Sequence, residues 1–445
     1  MTKNNKKPKL PKKPPAQQVE TQPERENGAH FAPEVKNVIK LTLAFTKAVG
    51  QKQDDQNDNL VVSPYNAMAA LSMVGKGADG KTRDEMAKVL FGVKGKDLEK
   101  AANDYVALNT EILDANKGQV TLTTANGVWT NKDRLTLNAA YAADLKAKHG
   151  AEISAEDFTN PATVKKINQW ASDNTNGLIP EVLEKLTKDD AAVLASALYF
   201  KGDWTKKFDP AKTEEKNYTQ DDGAISKTPT MKQRYDEGDV RYHRGADYQA
   251  VALTYGDEVH ERGNWKNPTM RLILIRPDDE KVSARDWMAA QADGKVPAWL
   301  DNYQFQDARG SVELPRLDIK QKFDLIPALK QLGIKEAFNE KTADFTKMRD
   351  AGELYIGKVQ HDTVFKTDEK GSEAAAVTTV GMVFATSVRE PAPVIDVKFD
   401  RSFAFALQDI KTGAVIFVGA VNKPNEAMTP VKPAAKKSGP ATPKV

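Results

Sequence analysis

Two short stretches of the sequence have residue types and spacings that could support enzyme chemistry. The first, GKGADGKT at residues 75–82, matches the phosphate-binding loop pattern, in which backbone N–H groups and a lysine surround nucleotide phosphates. That chemistry requires a strand before the loop, whereas the preceding NAMAALSMV is rich in Ala and Met and predicts a helix. We therefore expect a glycine-rich connection between two helices. A nucleotide-binding enzyme is the alternative, which ATP binding that is lost on Lys81→Ala would reveal.

The second stretch, HERGN, has the first half of a zinc-protease helix signature at His260. Asn264 stands where the second histidine is required, and the neighbouring glycine and proline predict a loop among strands. The other four histidines are scattered, no G-x-S-x-G elbow is present, and the chain has no cysteine. We predict that the protein is not an enzyme, with no catalytic residue, no metal and no cofactor.

A third stretch raises a different question. GSEAAAVTTVGMVFATSV at residues 371–388 has no charge from Ala374 to Val388, in a chain that is 29% charged. It is too short and too rich in Thr and Gly to span a membrane. An ordinary core strand is one interpretation, but fifteen uncharged residues are about twice the usual strand length.

The elements that must position these stretches are mostly helices in the first half and strands in the second. FAPEVKNVIKLTLAFTKAVG predicts a helix that ends at Gly50, and proline in a first turn predicts a helix after Ser63. AAVLASALYFKGDW predicts a central strand, and KTG a turn between the last two strands. We expect one α+β domain over residues 31–424.

Both ends of the chain are basic and rich in Pro and Lys. Residues 1–30 and 423–445 each carry a net charge of +4, whereas the whole chain carries +3. We predict disordered tails at residues 1–30 and 425–445. Without interleaved aromatic residues we expect no nucleic-acid partner, and without an apolar span no membrane. No signal peptide is evident, which favours the cytoplasm and leaves an extracellular location open.

Ten pieces of the sequence, in order, resemble the serpins, the family of serine-protease inhibitors, in an inhibitory and prokaryotic-type form. The resemblance covers residues 31–424 and includes NLVVSPYNAMAALSMVGKGADGKT, ALYFKGDWTKKFDPAKT, VQHDTVFKTDEKGSEAAAVTT and VKFDRSFAFALQDIKTGAVIFVGAVNKP. It implies about nine helices, three β-sheets and an exposed reactive-centre loop. A target protease cuts this loop and is trapped as an acyl-enzyme while the loop inserts into the central sheet.

The third stretch lies on this reactive loop. With Ser372 as the first inward residue, alternate side chains through Phe384 are uncharged and none is proline, so they fit a new strand within a sheet. Glu373 falls on the outward face, and Gly371 gives the hinge its conformational freedom. The resemblance assigns the hinge to seven residues: Glu369, Gly371, Ser372, Glu373, Ala374, Ala375 and Ala376.

Counting fifteen residues from Gly371 places the reactive bond at Ala385–Thr386. A small Ala suits elastase-like or subtilisin-like proteases, and the alternative bond Phe384–Ala385 suits chymotrypsin-like ones. Arg389 would suit trypsin and ranks third. The expected partner is a serine protease, with cysteine proteases left open, and we expect a monomer.

The resemblance also implies residues that regulate insertion. A polar cluster under the sheet corresponds here to Ser63, Asn66, Ser196 and His361, and the tryptophan where insertion begins corresponds to Trp204. The family usually has Ser where Asn66 stands and Asn where Ser196 stands, so we expect these two side chains to meet. Asp362 departs from the common Lys. A non-inhibitory carrier or chaperone is the alternative function, disfavoured by a hinge without bulky residues or proline.

Overall fold

The computed structural model describes residues 27–53, 55, 58–261, 264–349, 354–372, 392–425 and 429–430. Within these ranges, none of the helices combines the length and the apolar composition needed to cross a bilayer. The statements below apply to these residues.

Eight α-helices lie in the described part of the chain, where about nine were expected. Four of them begin with a proline in the first turn, as predicted after Ser63, whose hydroxyl accepts the N–H of Asn66. The helices are α1 Pro33–Lys52, α2 Pro64–Lys76, α3 Gly80–Phe91, α4 Leu98–Asn116, α5 Ala139–His149, α6 Pro161–Asn174, α7 Ala284–Ala290 and α8 Ile326–Leu332.

The strands of the described residues range from two residues in β14 and β18 to twenty in β6. They are β1 Leu60–Val62, β2 Thr121–Asn131, β3 Glu152–Glu156, β4 Ala192–Asp203, β5 Glu214–Thr219, β6 Ile225–Arg244, β7 Tyr248–Tyr255, β8 Val259–Glu261, β9 Asn264–Lys266, β10 Met270–Pro277, β11 Gln306–Pro315, β12 Leu317–Asp324, β13 Gln360–Thr367, β14 Gly371–Ser372, β15 Val394–Lys398, β16 Phe403–Asp409, β17 Val415–Val421 and β18 Thr429–Pro430.

A ten-stranded sheet carries most of the core. Its main path runs β1-β17-β16-β10-β7-β6-β11-β15, with β5 and β18 paired to β6. Strands β16 and β17 are buried at every position, including the polar Gln408 and Asp409 at the end of β16, and helices α1, α2 and α7 pack against β17. The predicted α+β class is confirmed.

Two smaller sheets bear the hinge and the strand before it. Strands β14-β4-β2-β3 form one of them and β12-β13 form the other. In the described chain no ladder joins β4 to β13. The first five residues of β4 are only half-buried, and β13 buries every second residue. In the described chain, β4 and β13 therefore each keep one edge without a ladder along most of their length, and we call the position that an additional strand would take between these edges the lane.

Two predicted boundaries differ from the structure. Helix α1 continues past Gly50 to Lys52, because Gly50 is buried where a Cβ atom would come within 2.8 Å of Leu60. Glycine is therefore required at residue 50 for close packing against Leu60, and it does not end the helix. The predicted tails also contain ordered residues, since the backbone of Gly28 donates to Asp301 and β18 pairs with β6.

Candidate functional site

The hinge begins with a tight turn after β13. The carboxylate of Asp368 accepts the backbone N–H groups of Lys370 at 2.8 Å and Gly371 at 3.3 Å. The chain then enters β14, where Gly371 pairs with Asp203 and Ser372 pairs with Gly202 on β4. The first two residues of the predicted insertion segment are thus already part of the sheet in this structure.

Gly371 occupies a position that only glycine fits. Its φ is +154°, and a Cβ atom there would lie 2.1 Å from the carbonyl oxygen of Gly202. The close approach of the two backbones is what allows β14 to pair with β4. The sequence analysis assigned this glycine to hinge freedom, and the structure adds this steric requirement.

Trp204 lies directly against the hinge. Its indole Nε1 donates to the carbonyl of Asp368 at 2.9 Å, and its backbone N–H donates to the carbonyl of Lys370 at 2.8 Å. Its ring stacks on Tyr255, with centroids 4.2 Å apart and planes at 15°. The indole therefore binds the hinge backbone on one side and supports a buried tyrosine on the other.

Tyr255 contacts the first inward residue of the hinge. Its hydroxyl lies 3.0 Å from the Oγ atom of Ser372, and both residues are buried. Burial raises the pKa of Tyr255 well above its usual value, so the phenol keeps its proton and can donate one hydrogen bond. Ser372, which the sequence analysis took as the first inward residue, is 3% exposed.

Glu369 is paired with Arg316, which lies in the connection between β11 and β12. The guanidinium of Arg316 makes three contacts of 2.7 to 3.1 Å with its carboxylate, and the hydroxyl of Thr213 donates to it as well. Burial raises the pKa of Glu369, but the bonds from Arg316 and Thr213 outweigh it and the net shift is downward. The hinge is therefore fixed by an ionised carboxylate just before Gly371.

The predicted polar cluster consists of two pairs joined by the turn that starts α2. The backbone N–H of Ser63 donates to Nε2 of His361 on β13 at 3.0 Å. Asn66 exchanges two hydrogen bonds with Ser196 on β4: its Nδ2 donates to the Ser196 carbonyl at 2.8 Å, and the Ser196 hydroxyl donates to its Oδ1 at 2.7 Å. One helix start thus binds both strands that flank the lane.

His361 is neutral in this arrangement. Burial lowers its pKa to about 4, and its Nε2 is the acceptor for Ser63, which places the proton on Nδ1. Its neighbour Asp362 has the opposite shift, since burial raises its pKa to about 6 while Lys322 and Lys358 act against that rise. Burial therefore shifts the pKa values of these two adjacent groups in opposite directions, in each case favouring the neutral form.

Several predicted site residues lie outside the described residues. These are the second half of the hinge and both candidate reactive bonds, namely Glu373, Ala374, Ala375, Ala376, Phe384, Ala385 and Thr386. Their assigned roles stay predictions.

The enzyme-like motifs do not form the sites that their letters resemble. Helix α2, not a strand, precedes the glycine-rich stretch at residues 75–82, as expected. Lys81 is paired with Glu336, and the hydroxyl of Thr82 accepts the N–H of Asp344. His260 lies on β8, so the helix of a zinc protease is missing there. In the described part of the chain, no group of three or more potential metal ligands comes together.

Three residues of the hinge region were not assigned a role from the sequence. Arg316, Thr213 and Tyr255 lie 53, 156 and 117 residues away from their hinge partners along the chain. Arg316 lies within VELPRLDI, one of the ten pieces of sequence that resemble the family. Nothing in its local sequence distinguishes it from other exposed arginines. Only the three-dimensional pairing identifies these contacts.

Comparison with known proteins adds independent evidence. The model of the family described as Serpin (serine protease inhibitor) matches residues 36–424. Neuroserpin of Homo sapiens is 28% identical over 388 residues, which is 84% of this chain and 88% of neuroserpin.

Two solved structures show how similar the folds are. The thermophilic serpin tengpin in its native state has a TM-score of 0.72 at 26% identity, covering 87% of this chain and 94% of tengpin. Thyroxine-binding globulin in complex with thyroxine has a TM-score of 0.70 at 23% identity, covering 88% of this chain and 99% of that protein. The second likeness concerns the fold alone.

Proposed function

The chain belongs to the serpin family, and we propose that it inhibits a serine protease as a suicide substrate. As a member of a protease-inhibitor family it is not itself an enzyme. The protease serine attacks the carbonyl carbon of Ala385, an acyl ester forms, and the amino group of Thr386 leaves. The loop then inserts between β4 and β13 before water can hydrolyse the ester.

The observation that carries the proposal is the docked start of the loop. Gly371 and Ser372 are paired with β4, and Ser372 is buried at the entrance of the lane between β4 and β13. Insertion of the following residues would continue an existing ladder. The conformational entropy lost in forming the first contact with β4 has therefore already been lost before the loop is cut. Each added residue pair would satisfy backbone groups on both flanking strands.

The composition of the segment supports the same proposal. Residues that would face inward after Ser372 are uncharged through Phe384, so insertion buries no isolated ion. The preferred target class follows from the reactive bond. Ala385 favours a protease with a small pocket of the elastase or subtilisin type, and Phe384 a chymotrypsin-like one.

A denaturing gel tests the proposal. The protein is mixed with elastase, chymotrypsin, trypsin and subtilisin, and a covalent band at the summed mass is expected with at least one of them. Mass spectrometry of the released C-terminal fragment then identifies the reactive bond. Cleavage by all four without any covalent band would overturn the inhibitory mechanism.

A matched pair of variants makes the test specific to insertion. Ser372→Arg places a charge in the lane, so the variant should be cleaved as a substrate with the covalent band lost. Lys370→Ala changes an exposed neighbouring side chain and should keep the band. An equal loss in both variants would argue against insertion at this point.

A carrier function is the second candidate, supported by the fold similarity to thyroxine-binding globulin. Two cavities of the described chain have volumes of about 260 and 70 Å³, below the roughly 300–1,000 Å³ typical of ligand pockets. Cleavage without a covalent band and without a rise in melting temperature would favour this candidate over the inhibitor.

A further inference from the structure

The chain continues beyond the family match and returns to the body of the protein. The match ends at residue 424, yet Thr429 pairs with Lys227 and Pro430 pairs with Ser226 on β6. These two residues form β18, within a segment that the sequence predicts to be a disordered tail. Residues beyond the family match therefore belong to the ten-stranded sheet.

Strand β18 covers one specific edge of β6. Thr230 pairs with β5 on one side and with β11 on the other, so those strands lie on opposite edges. Ser226 pairs with β5 and with β18, which places β18 on the same edge as β11. The C-terminal segment therefore continues along β6 beyond the point where β11 ends, and it pairs backbone groups there.

Asn425 ties the start of this segment to the connection between β11 and β12. Its Nδ2 donates to the hydroxyl of Thr228 at 2.7 Å and to the carbonyl of Arg316 at 3.3 Å. The backbone N–H of Asp318 donates to the carbonyl of Pro424 at 3.0 Å. Thr228 is fully buried, so loss of the amide would remove a partner from a buried hydroxyl.

The residues held in this way are those that reach the hinge. The backbone of Arg316 is bound by Asn425, while its side chain holds Glu369. The backbone of Asp318 is bound by Pro424, while its carboxylate pairs with Lys366 on β13 at 3.0 Å. One short segment thus fixes two backbone positions whose side chains contact the hinge and the strand before it.

We propose that a C-terminal strap, made of Asn425 and the paired residues Thr429 and Pro430, positions Arg316 and thereby keeps the hinge docked. Asn425 is the positioning residue, because it alone joins the strap to both Thr228 and Arg316 among the described contacts. The strap goes beyond the inhibitory function, and only its consequence for inhibition rests on the proposed function.

Two truncations and one substitution test the strap by hydrogen exchange on the uncut protein without a protease. A chain that ends at Pro424 lacks the strap, and a chain that ends at Pro430 is the matched control. In the shorter chain, amide exchange should rise about fivefold or more at residues 226–230 and at residues 367–372. The chain that ends at Pro430 should exchange like the full-length protein in both regions.

Asn425→Ala in the full-length chain repeats the test if the shorter chain does not fold. It should raise exchange at residues 367–372, and the rise should disappear when Glu369→Gln has already weakened the contact with Arg316. Faster exchange at residues 226–230 alone would overturn the coupling, and so would identical exchange in both truncated chains. Because no protease is used, these outcomes do not depend on whether the protein inhibits.

Discussion

Asn66 and Ser196 join the start of α2 to β4. The family usually has the two residue types reversed, and here they exchange two hydrogen bonds of 2.7 and 2.8 Å. We expect Asn66→Ser to lower the free energy of unfolding by about 1–3 kcal/mol, since the Ser196 carbonyl and hydroxyl lose the amide. Asn66→Ser combined with Ser196→Asn should recover much of that loss, and chemical denaturation of the four proteins measures it. Additive effects in the cycle would remove the idea.

His361 and Asp362 should oppose each other in the pH dependence of stability. The pKa of His361 is lowered to about 4, so its contribution is present above pH 6.5 and is lost as the pH falls towards 4. The pKa of Asp362 is raised to about 6, so the folded state gains stability as the pH falls from about 6 towards 4.

Asp362→Asn should therefore reveal the histidine. The variant should be more stable than the parent above pH 6, and its melting temperature should fall more steeply between pH 6.5 and pH 4. Thermal unfolding at intervals of half a pH unit measures both profiles. Parallel profiles for the two proteins would contradict the opposing titrations.

Tyr255→Phe removes one oxygen atom from the contact with the hinge. The ring can still stack on Trp204, so the change isolates the hydrogen bond to Ser372. A loss of about 1 kcal/mol from the docked hinge corresponds to roughly fivefold faster exchange of the Ser372 amide. Ser372→Ala should give the same increase and the double variant no more. Independent increases in the two single variants would show that the contact is not the cause.

At the scale of elements, the hinge strand β14 depends on one glycine. Gly371→Ala should prevent pairing with β4, because a Cβ atom would lie 2.1 Å from the Gly202 carbonyl. We expect exchange protection at residues 371–372 to be lost and the fluorescence of Trp204 to change. Gly118→Ala is the control, since Gly118 also has a positive φ of +78° but no atom within 4 Å of the added carbon. Similar hinge effects in both variants would indicate general strain instead of a specific clash.

The elements were largely predictable from local sequence, whereas their pairings were not. Proline in a first turn, alternation in β13 and the continuous apolar run of β17 each reflect forces within a few residues. The prediction that the first helix ends at Gly50 was wrong, because glycine is favoured both after a helix end and where a helix packs closely against a neighbour. Only the position of Leu60 distinguishes the two cases.

The residues of the candidate site were likewise predictable only in part from the sequence. Ser372 was taken as the first inward residue once the family resemblance had placed it on the reactive loop, and the exchange of residue types between Asn66 and Ser196 was found by comparison with the family pattern. Arg316 and Tyr255 could not be found, because a partner more than 50 residues away leaves no local pattern in the sequence. The docking of β18 was missed for a related reason: two backbone pairs on an open sheet edge require no apolar composition.

At the scale of the whole molecule, the proposed function requires that one strand position between β4 and β13 stays open in the uncut protein. Strands β4 and β13 are both tied to the start of α2 and share no ladder in the described chain. The hinge is held at the entrance by Trp204, Tyr255 and Arg316. On the proposed function, filling the lane lowers the free energy, and the protein releases that difference only after the loop is cut.

Calorimetry of the uncut and the loop-cleaved protein measures that difference most directly. If the loop becomes a strand after cleavage, the melting temperature should rise by roughly 10 °C or more, which corresponds to about 8 kcal/mol because each kcal/mol shifts the transition by about 1 °C in a domain of nearly 400 residues. An unchanged or lower melting temperature, after a cut verified within residues 384–386, would contradict the claim that the uncut fold is the less stable one.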